Sequence, residues 1–361
     1  MLIFSPGLQS QGLFNGYEHL FTPPPQYTVY RVPGKIVIDG HINDKAWQKA
    51  EWSKKFIDIE GDKKPLPLHD TRFKMLWDEN YLYICAELIE PHVWGTLKNH
   101  DDIIYRDNDF EVFIDPDNDT HHYFEIEINA LNTIMDLYMS RPYRDSALLL
   151  MDWNAKGMLS AIQVDGTLND PSGTDRKWTV EMAIPFSALQ ANGYHTQTPS
   201  DSTLWRMGFS RVQWHTEIKN NQYHKILNPQ TSKPLSEENW TWTSQGVINM
   251  HFPERWGYVF FSREKAGERT VAFNIPPSEE LKKYLWLIYY KQAAYKREHK
   301  VYASALKELD MPESITHVNG QLIVLNLHSY DNGFKAGITS GKENWQIDHK
   351  GLVKAAGELQ K

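Results

Sequence analysis

A single cysteine, Cys85, stands in 361 residues, which excludes an internal disulfide and any cysteine-rich zinc site. No apolar run approaches the roughly 18 residues that a membrane-spanning helix needs. Long basic runs are missing as well, and 46 acidic against 38 basic residues leave a formal charge of −8. A net-acidic chain of this kind binds phosphate backbones poorly, so nucleic acid is not an expected partner. The 15 histidines include no two-His helical metalloprotease pattern, and the chain has no internal repeat or low-complexity tract. What it has in excess is aromatic: 13 Trp, 18 Tyr and 15 Phe. Most such rings belong in a core, but a Trp- and Tyr-rich chain also has rings to stack against a ligand.

From Tyr27 to about Ser262, short runs alternate apolar and polar residues, as in Arg72–Trp77, Tyr81–Leu88, Phe110–Ile114, Tyr123–Asn129, Trp178–Ile184, Met207–Val212 and Trp256–Phe261. Turn chemistry separates them, including Asp78-Glu79-Asn80, Asp115-Pro116-Asp117-Asn118-Asp119 and Ala191-Asn192-Gly193. Many short strands without long intervening helices predict an all-β antiparallel sandwich, jelly-roll-like. Short helical pieces are expected over Asn43–Ala50 and after Pro185. Cys85, alternating with Tyr83 and Glu87 on a strand, reads as an inert packed thiol.

The texture changes after Pro276-Pro277. Ser278 reads as a helix cap, with Glu279 and Glu280 favourable in the first turn. Leu281, Leu285, Ile288, Tyr295, Tyr302, Leu306 and Leu309 then keep helical spacing for about thirty residues, interrupted by Gln292 and His299. Ile315–Val318 and Gln321–Leu327, joined by Asn319-Gly320, predict a hairpin. Asp331-Asn332-Gly333 turns again into Phe334–Thr339. The predicted organisation is a leader and Pro-rich linker over 1–27, a sandwich over 28–262 and an extension of one long helix plus a small β-meander over 263–361. The breadth of the helix's apolar surface, with Trp286, Leu287, Tyr289 and Tyr290, predicts that it packs on the sandwich; docking a protein partner is the other reading. At the N-terminus, Leu2-Ile3-Phe4 before Gly7-Leu8-Gln9-Ser10-Gln11 reads either as the end of a secretory signal or as a plain leader, because the positive n-region is missing.

Several segments resemble the family 9 carbohydrate-binding modules, β-sandwich domains appended to xylanases and related glycoside hydrolases. They are Ile38-Asp39-Gly40 through Asp44 to Trp47, Leu76-Trp77-Asp78-Glu79-Asn80-Tyr81-Leu82-Tyr83-Ile84, Asp109-Phe110-Glu111-Val112-Phe113-Ile114-Asp115, Val180-Glu181-Met182-Ala183-Ile184-Pro185 and Trp256-Gly257. In order, they span roughly residues 28 to 262. The resemblance implies a non-catalytic carbohydrate-binding protein acting in polysaccharide catabolism outside the cytoplasm, with a mono-, oligo- or polysaccharide as partner. It also implies an aromatic pair around the sugar. Tyr105, six residues before Glu111, stands where those members carry a stacking Trp, and Glu125 and Glu127 stand at positions that supply polar contacts there. Trp94, Trp214, Trp240 and Trp242 are the other aromatic candidates. Period-two spacing turns Glu125, Glu127 and Asn129 to one face and Phe124, Ile126 and Ile128 to the other, on what reads as an open, hydrated sheet face. The short Asp115–Asp119 turn places that strand beside the one carrying Glu111.

Asp115, Asp117 and Asp119 offer hard oxygen ligands at alternate positions, but Thr120 replaces the EF-hand glycine, so the segment is either an acidic turn or a calcium site of another kind. The resemblance keeps a structural calcium ion in view. His121 and His122, adjacent on an expected strand, point apart and chelate poorly. Two rival functions remain. A glycoside hydrolase would need two carboxyls roughly 5–9.5 Å apart across a cleft. A haem-binding redox sandwich would draw on Met135, Met139, Met207 or His251, without any Cys-x-x-Cys-His attachment motif.

Overall fold

The structure, a computed structural model, describes residues 12–316 and 320–356. One continuous 13-stranded sheet carries most of the chain. In hydrogen-bonded order its path runs Leu149–Leu150, Ile134–Met139, Tyr123–Asn129, Asp109–Asp115, Leu204–Gln213, Gly257–Lys265, Gln26–Arg31, Thr71–Trp77, Tyr81–Ile89, Lys177–Pro185 and Leu159–Asp165. Gln26–Arg31 pairs in parallel with both of its neighbours, while the strands on either side of it pair antiparallel. The sheet folds over at this strand so that its two halves pack face to face. Phe110, Val112, Ile114, Phe124, Ile126 and Ile128 from one half share a buried core with Phe73, Met75, Leu82, Ile84, Val180 and Met182 from the other. The expected sandwich is the result: Tyr123–Asn129 forms as expected, most other strands run one to three residues beyond the predicted runs, and the last begins at Gly257 rather than Trp256 and continues to Lys265.

The sequence motifs recur because their residues meet. Glu181, fully buried, accepts the backbone N–H groups of Asp39 and Gly40 at 3.0 and 2.8 Å and the Trp47 indole N–H at 2.6 Å. One carboxylate thus fastens the short helix Lys45–Lys49 and the Ile-Asp-Gly segment onto the outer face of the second half-sheet. Gly40 takes φ +87°, and a Cβ there would lie 2.7 Å from the Ile162 carbonyl carbon, so no other residue fits without a backbone shift. Cys85 is fully buried and its thiol is pushed well up by burial, the inert state expected of it.

The extension consists of the helix Pro277–His299 and a five-stranded antiparallel meander, Ser314–Thr316, Leu322–Tyr330, Gly333–Ser340, Glu343–Asp348 and Val353–Ala355. Two local expectations are corrected. Proline occupies the first helical position, where its missing N–H costs nothing, so Pro277 rather than Ser278 opens the helix. The helix also stops at His299, because Lys300 turns left-handed at φ 66°, and Leu306–Leu309 forms a separate 3-10 turn. Gln292 causes the reversal to hold: its side-chain amide donates to the Ala303 carbonyl at 3.0 Å and accepts the Ala303 N–H at 2.9 Å. An amide on the apolar stripe is therefore a clamp on the returning chain. Val318 and Asn319 of the expected hairpin, and the leader through Gln11, lie outside the described residues.

Leu20, Phe14, Tyr17 and Phe21 join the apolar cluster of the extension, with the Phe14 and Tyr284 rings 5.5 Å apart. The described part of the leader is thus packed structure rather than a free linker, because its rings cover the helix face that the meander leaves open. The helix is also keyed to the sandwich, as its breadth predicts. Arg206, on the strand Leu204–Gln213, donates to Glu279 at 3.0 Å, to Asn118 at 2.8 Å and to the carbonyls of Glu254 and Trp256 at 3.0 and 2.8 Å. Tyr289 donates to Asp145 at 2.5 Å and Tyr290 to Glu254 at 2.5 Å.

Candidate functional site

The face of the first half-sheet that turns away from the core forms the floor of a cavity of about 550 Å³. Cross-strand register brings Glu111 opposite Glu127 and Phe113 opposite Glu125, so the carboxylates of two adjacent antiparallel strands converge. Phe124, Ile126 and Ile128 point the other way into the core, as the two-residue period requires. Tyr105, from the 3-10 turn Ile104–Arg106, and Tyr143, from the turn Tyr143–Asp145, line the cavity with 41% and 50% of their surfaces exposed. Phe113, Met135, Leu137, Met250 and His251 supply much of the remaining wall.

The carboxylates are not on an open, hydrated face. Glu111, Glu125 and Glu127 are 5%, 4% and 3% exposed, and Asp109 beside them is fully buried. The loops carrying Tyr105, Tyr143 and His251 rise around the sheet and leave the carboxylates at the bottom of the cavity, which no strand pattern encodes. Loss of hydration, with Glu237 adding like charge, raises Glu111 to about 7. Burial, then the charge of Glu111, raises Glu125 to about 8. Asp109 and Glu127 are driven well up for the same two reasons. The group therefore retains protons near neutrality, and Glu125 and Glu127 stand close enough to share one. His251 is pulled down to about 4 by burial and by Arg144, so it is neutral; its Nδ1 lies 2.8 Å from the Tyr123 hydroxyl and its Nε2 3.9 Å from Glu125.

Several polar contacts fix the geometry. The Tyr105 N–H donates to Glu127 at 2.9 Å, and the Trp214 indole N–H donates to the Tyr105 carbonyl at 2.8 Å. Asp107 holds the preceding loop by accepting the N–H groups of Thr96 and Leu97 at 2.7 and 2.9 Å. Asp109 accepts the Val212 N–H at 3.0 Å, which locks the motif strand to its neighbour.

Of the sequence candidates, Tyr105, Glu111, Glu125 and Glu127 come together here. The four tryptophans do not line this cavity. Trp240 and Trp242 are 3% exposed inside the sandwich core, because Trp240 in the strand Glu238–Thr241 and Trp242 just past it, its backbone N–H donating to the Phe209 carbonyl at 3.0 Å, both turn their rings inward. Trp94 is also buried, at 6%. Trp214 buttresses Tyr105 from behind, and its ring face is taken by the Lys225 ammonium at 3.2 Å. Met207 is sealed in the core and Met139 is fully buried, whereas Met135 and His251 line the cavity. Tyr143 is the residue sequence reasoning missed; the only local signal was an aromatic following a loop proline, Pro142. The neighbours of Tyr143 explain its placement: Arg144 and Asp145 are bound to Glu254 and Tyr289, so the extension holds this rim of the cavity.

Asp115, Asp117 and Asp119 bring one oxygen each within 4.8 Å of one another. Asp115 already accepts the N–H groups of Asn118 and Thr120 at 3.0 Å each, Asp119 accepts that of His121 at 2.9 Å, and the Lys354 ammonium stands 3.6 Å from Asp119. The all-oxygen donor set suits a hard cation; burial, and then the charge of Asp117, raises Asp115 and Asp119, and such a cation would offset both. His121 and His122 lie in the turn before the strand rather than on it. His121 contacts the Lys350 carbonyl at 2.9 Å and His122 stacks on Tyr194, so neither is free to chelate.

A sandwich with a concave, aromatic-rimmed cavity on one outer sheet face is the build of a β-sandwich ligand-binding module. Residues 38–246, more than half of the chain, match the carbohydrate family 9 binding domain-like family, and the chain belongs to it. It is 24% identical over 165 residues to exoglucanase XynX of Acetivibrio thermocellus, and 25% identical over 171 residues to endo-1,4-beta-xylanase A of Thermoanaerobacterium saccharolyticum. Those matches take in 46% and 47% of this chain but only 13% and 12% of the two enzymes. In fold it is similar to a family 9 carbohydrate-binding module from Caldicellulosiruptor kristjanssonii in complex with cellotriose, with TM-score 0.42, 17% identity and coverage of 69% of this chain and 100% of that one. It is also similar to a putative carbohydrate-binding protein from Bacteroides uniformis, with TM-score 0.49, 14% identity, and coverage of 66% and 100%. No helix among the described residues is long and apolar enough to cross a membrane.

Proposed function

We propose that the protein binds carbohydrate in the cavity above Glu111, acting outside the cytoplasm in polysaccharide breakdown. The observation that carries this reading is the cavity itself: a family motif strand supplies its floor of acceptors, and two exposed tyrosine rings stand at its rim. The apolar C–H face of a pyranose packs on such a ring, while its hydroxyls donate to carboxylate oxygens. Each hydroxyl exchanged from water nets about 0.5–1.5 kcal/mol, and up to about 3 with a charged acceptor. Affinity is therefore expected in the roughly micromolar to millimolar range. Glucose and cellotriose are the first probes. Tyr105→Ala and Tyr143→Ala are each expected to weaken binding by about tenfold in titration calorimetry, with circular dichroism unchanged. Unaltered binding by both folded variants would move the site elsewhere.

The oxygen cluster of Asp115, Asp117 and Asp119 supports a second proposal, a structural calcium ion that ties this turn to the extension. At a free concentration of 100 times the dissociation constant, such an ion adds about 2.7 kcal/mol to stability. Calcium is expected to raise the melting temperature of the wild type and not that of Asp117→Asn. An equal response of both proteins would dismiss the site.

A further inference from the structure

We propose that the cavity takes a sugar bearing a protonated amine, an amino-sugar residue, whose ammonium sits against Glu111 and Glu127, with Asp109 beneath them and Glu125 alongside, and whose ring lies on Tyr105. The inference rests on the carbohydrate reading above and narrows it to one chemical class.

The first ground is unbalanced charge. Among the described residues no lysine or arginine forms an ion pair with Asp109, Glu111, Glu125 or Glu127; the one near-ionic contact is His251, 3.9 Å from Glu125 and neutral. Arg211, whose charge reaches Asp109, is already paired with Glu90 at 2.6 Å. Buried carboxylates normally have a cationic partner, because an unpaired one keeps its full desolvation cost.

The second ground is an unused acceptor. Among the described residues no amide, hydroxyl or ammonium donates to Glu125 Oε2, although the residue is only 4% exposed and lines the cavity. Asp109 Oδ2 likewise has no donor among the described residues. Native structures rarely leave buried acceptors idle, and an idle acceptor facing a cavity marks where a donor arrives.

The third ground is spacing. Asp109, Glu111 and Glu127 offer oxygens all within 4.8 Å of one another. Three acceptors around a tetrahedral ammonium, each at N–O distances of about 2.8 Å, stand roughly 4.6 Å apart. A neutral sugar hydroxyl can donate to one of these oxygens, but it brings no charge to the group. An ammonium brings three donors and a full positive charge, and its charge-assisted bonds are about twice as strong as neutral ones. It thereby replaces the protons that the crowded acids otherwise hold. A bare divalent ion would satisfy the same oxygens, yet it would leave most of a 550 Å³ cavity and both tyrosine rings without a role.

The test is titration calorimetry on the full chain at about pH 7 after treatment with a chelator. The probes are D-glucosamine, D-galactosamine and D-mannosamine, each against its parent hexose, together with N-acetyl-D-glucosamine and cellotriose. At least one amino sugar is expected to bind about tenfold more tightly than its parent hexose. N-acetylation, which keeps the ring and removes the charge, is expected to abolish that preference. So are Glu125→Gln and Glu127→Gln, both of which keep the size of the side chain, with circular dichroism to confirm folding. Equal affinity for amino and parent sugars overturns this inference and leaves the carbohydrate reading standing. No binding of any probe, cellotriose included, overturns both. Tight manganese or calcium binding that Glu127→Gln abolishes and Asp115→Asn does not, with no amine preference, assigns the cluster to a metal and overturns the proposal.

Discussion

Arg206→Met is expected to lower the unfolding free energy by about 3–5 kcal/mol, read as a fall in the urea midpoint and melting temperature. Arg206 is 6% exposed and Glu279 4% exposed, so neither charge has water to fall back on. Removing Arg206 leaves the Glu279 carboxylate with one cation, Lys282 at 2.6 Å, beside the neutral donors Tyr258 and Asn118, and leaves the carbonyls of Glu254 and Trp256 without this donor. Attraction to Arg206 and Lys282 outweighs the burial that opposes it and holds Glu279 at about 2. Its contribution is accordingly present above its unfolded titration near 4.5 and lost as the pH falls toward about 2. The double replacement Arg206→Met with Glu279→Leu is expected to recover part of the loss, because no charge is then left buried. A single-variant loss under about 1 kcal/mol would mean that this pair does not key the extension to the sandwich.

The cavity acids act in the opposite direction. Their folded-state titrations lie above their unfolded ones, so the stability they permit is fully present below about 4.5 and lost as the pH rises through about 7 for Glu111 and about 8 for Glu125. A displaced titration is worth about 1.4 kcal/mol per pH unit, and coupling among the acids divides that cost between them. Glu125→Gln is therefore expected to stabilise the protein by about 2 kcal/mol or more at pH 8–9 and by close to nothing at pH 4, where wild type and variant are both neutral at this position. Chemical unfolding across that pH range checks it; a difference independent of pH would locate the effect in packing rather than charge. A variant that gains stability while losing ligand preference would show that the buried acids are kept for binding at a cost to the fold.

Much of this protein was legible from residue order because its information is local. Two-residue alternation placed Glu125 and Glu127 opposite Phe124, Ile126 and Ile128, and the short Asp115–Asp119 turn set that strand beside Glu111. The motif segments marked the family, and the breadth of the helix Pro277–His299 announced that it packs. The fate of individual rings was not legible. Trp240 and Trp242 look like stacking platforms in sequence, yet which side of a short strand meets the core depends on the sheet that it joins. Tyr143 reaches the cavity only because Arg144 and Asp145 are anchored to Glu254 and to Tyr289, 145 and 144 positions from each other in the case of the helix contacts. The same holds for charge. That carboxylates line one sheet face could be read from residue order, since strand period is set by backbone sterics. That loops bury them with no lysine or arginine paired to them among the described residues could not be read there, because burial is a property of everything packed above a residue and not of its neighbours in the chain.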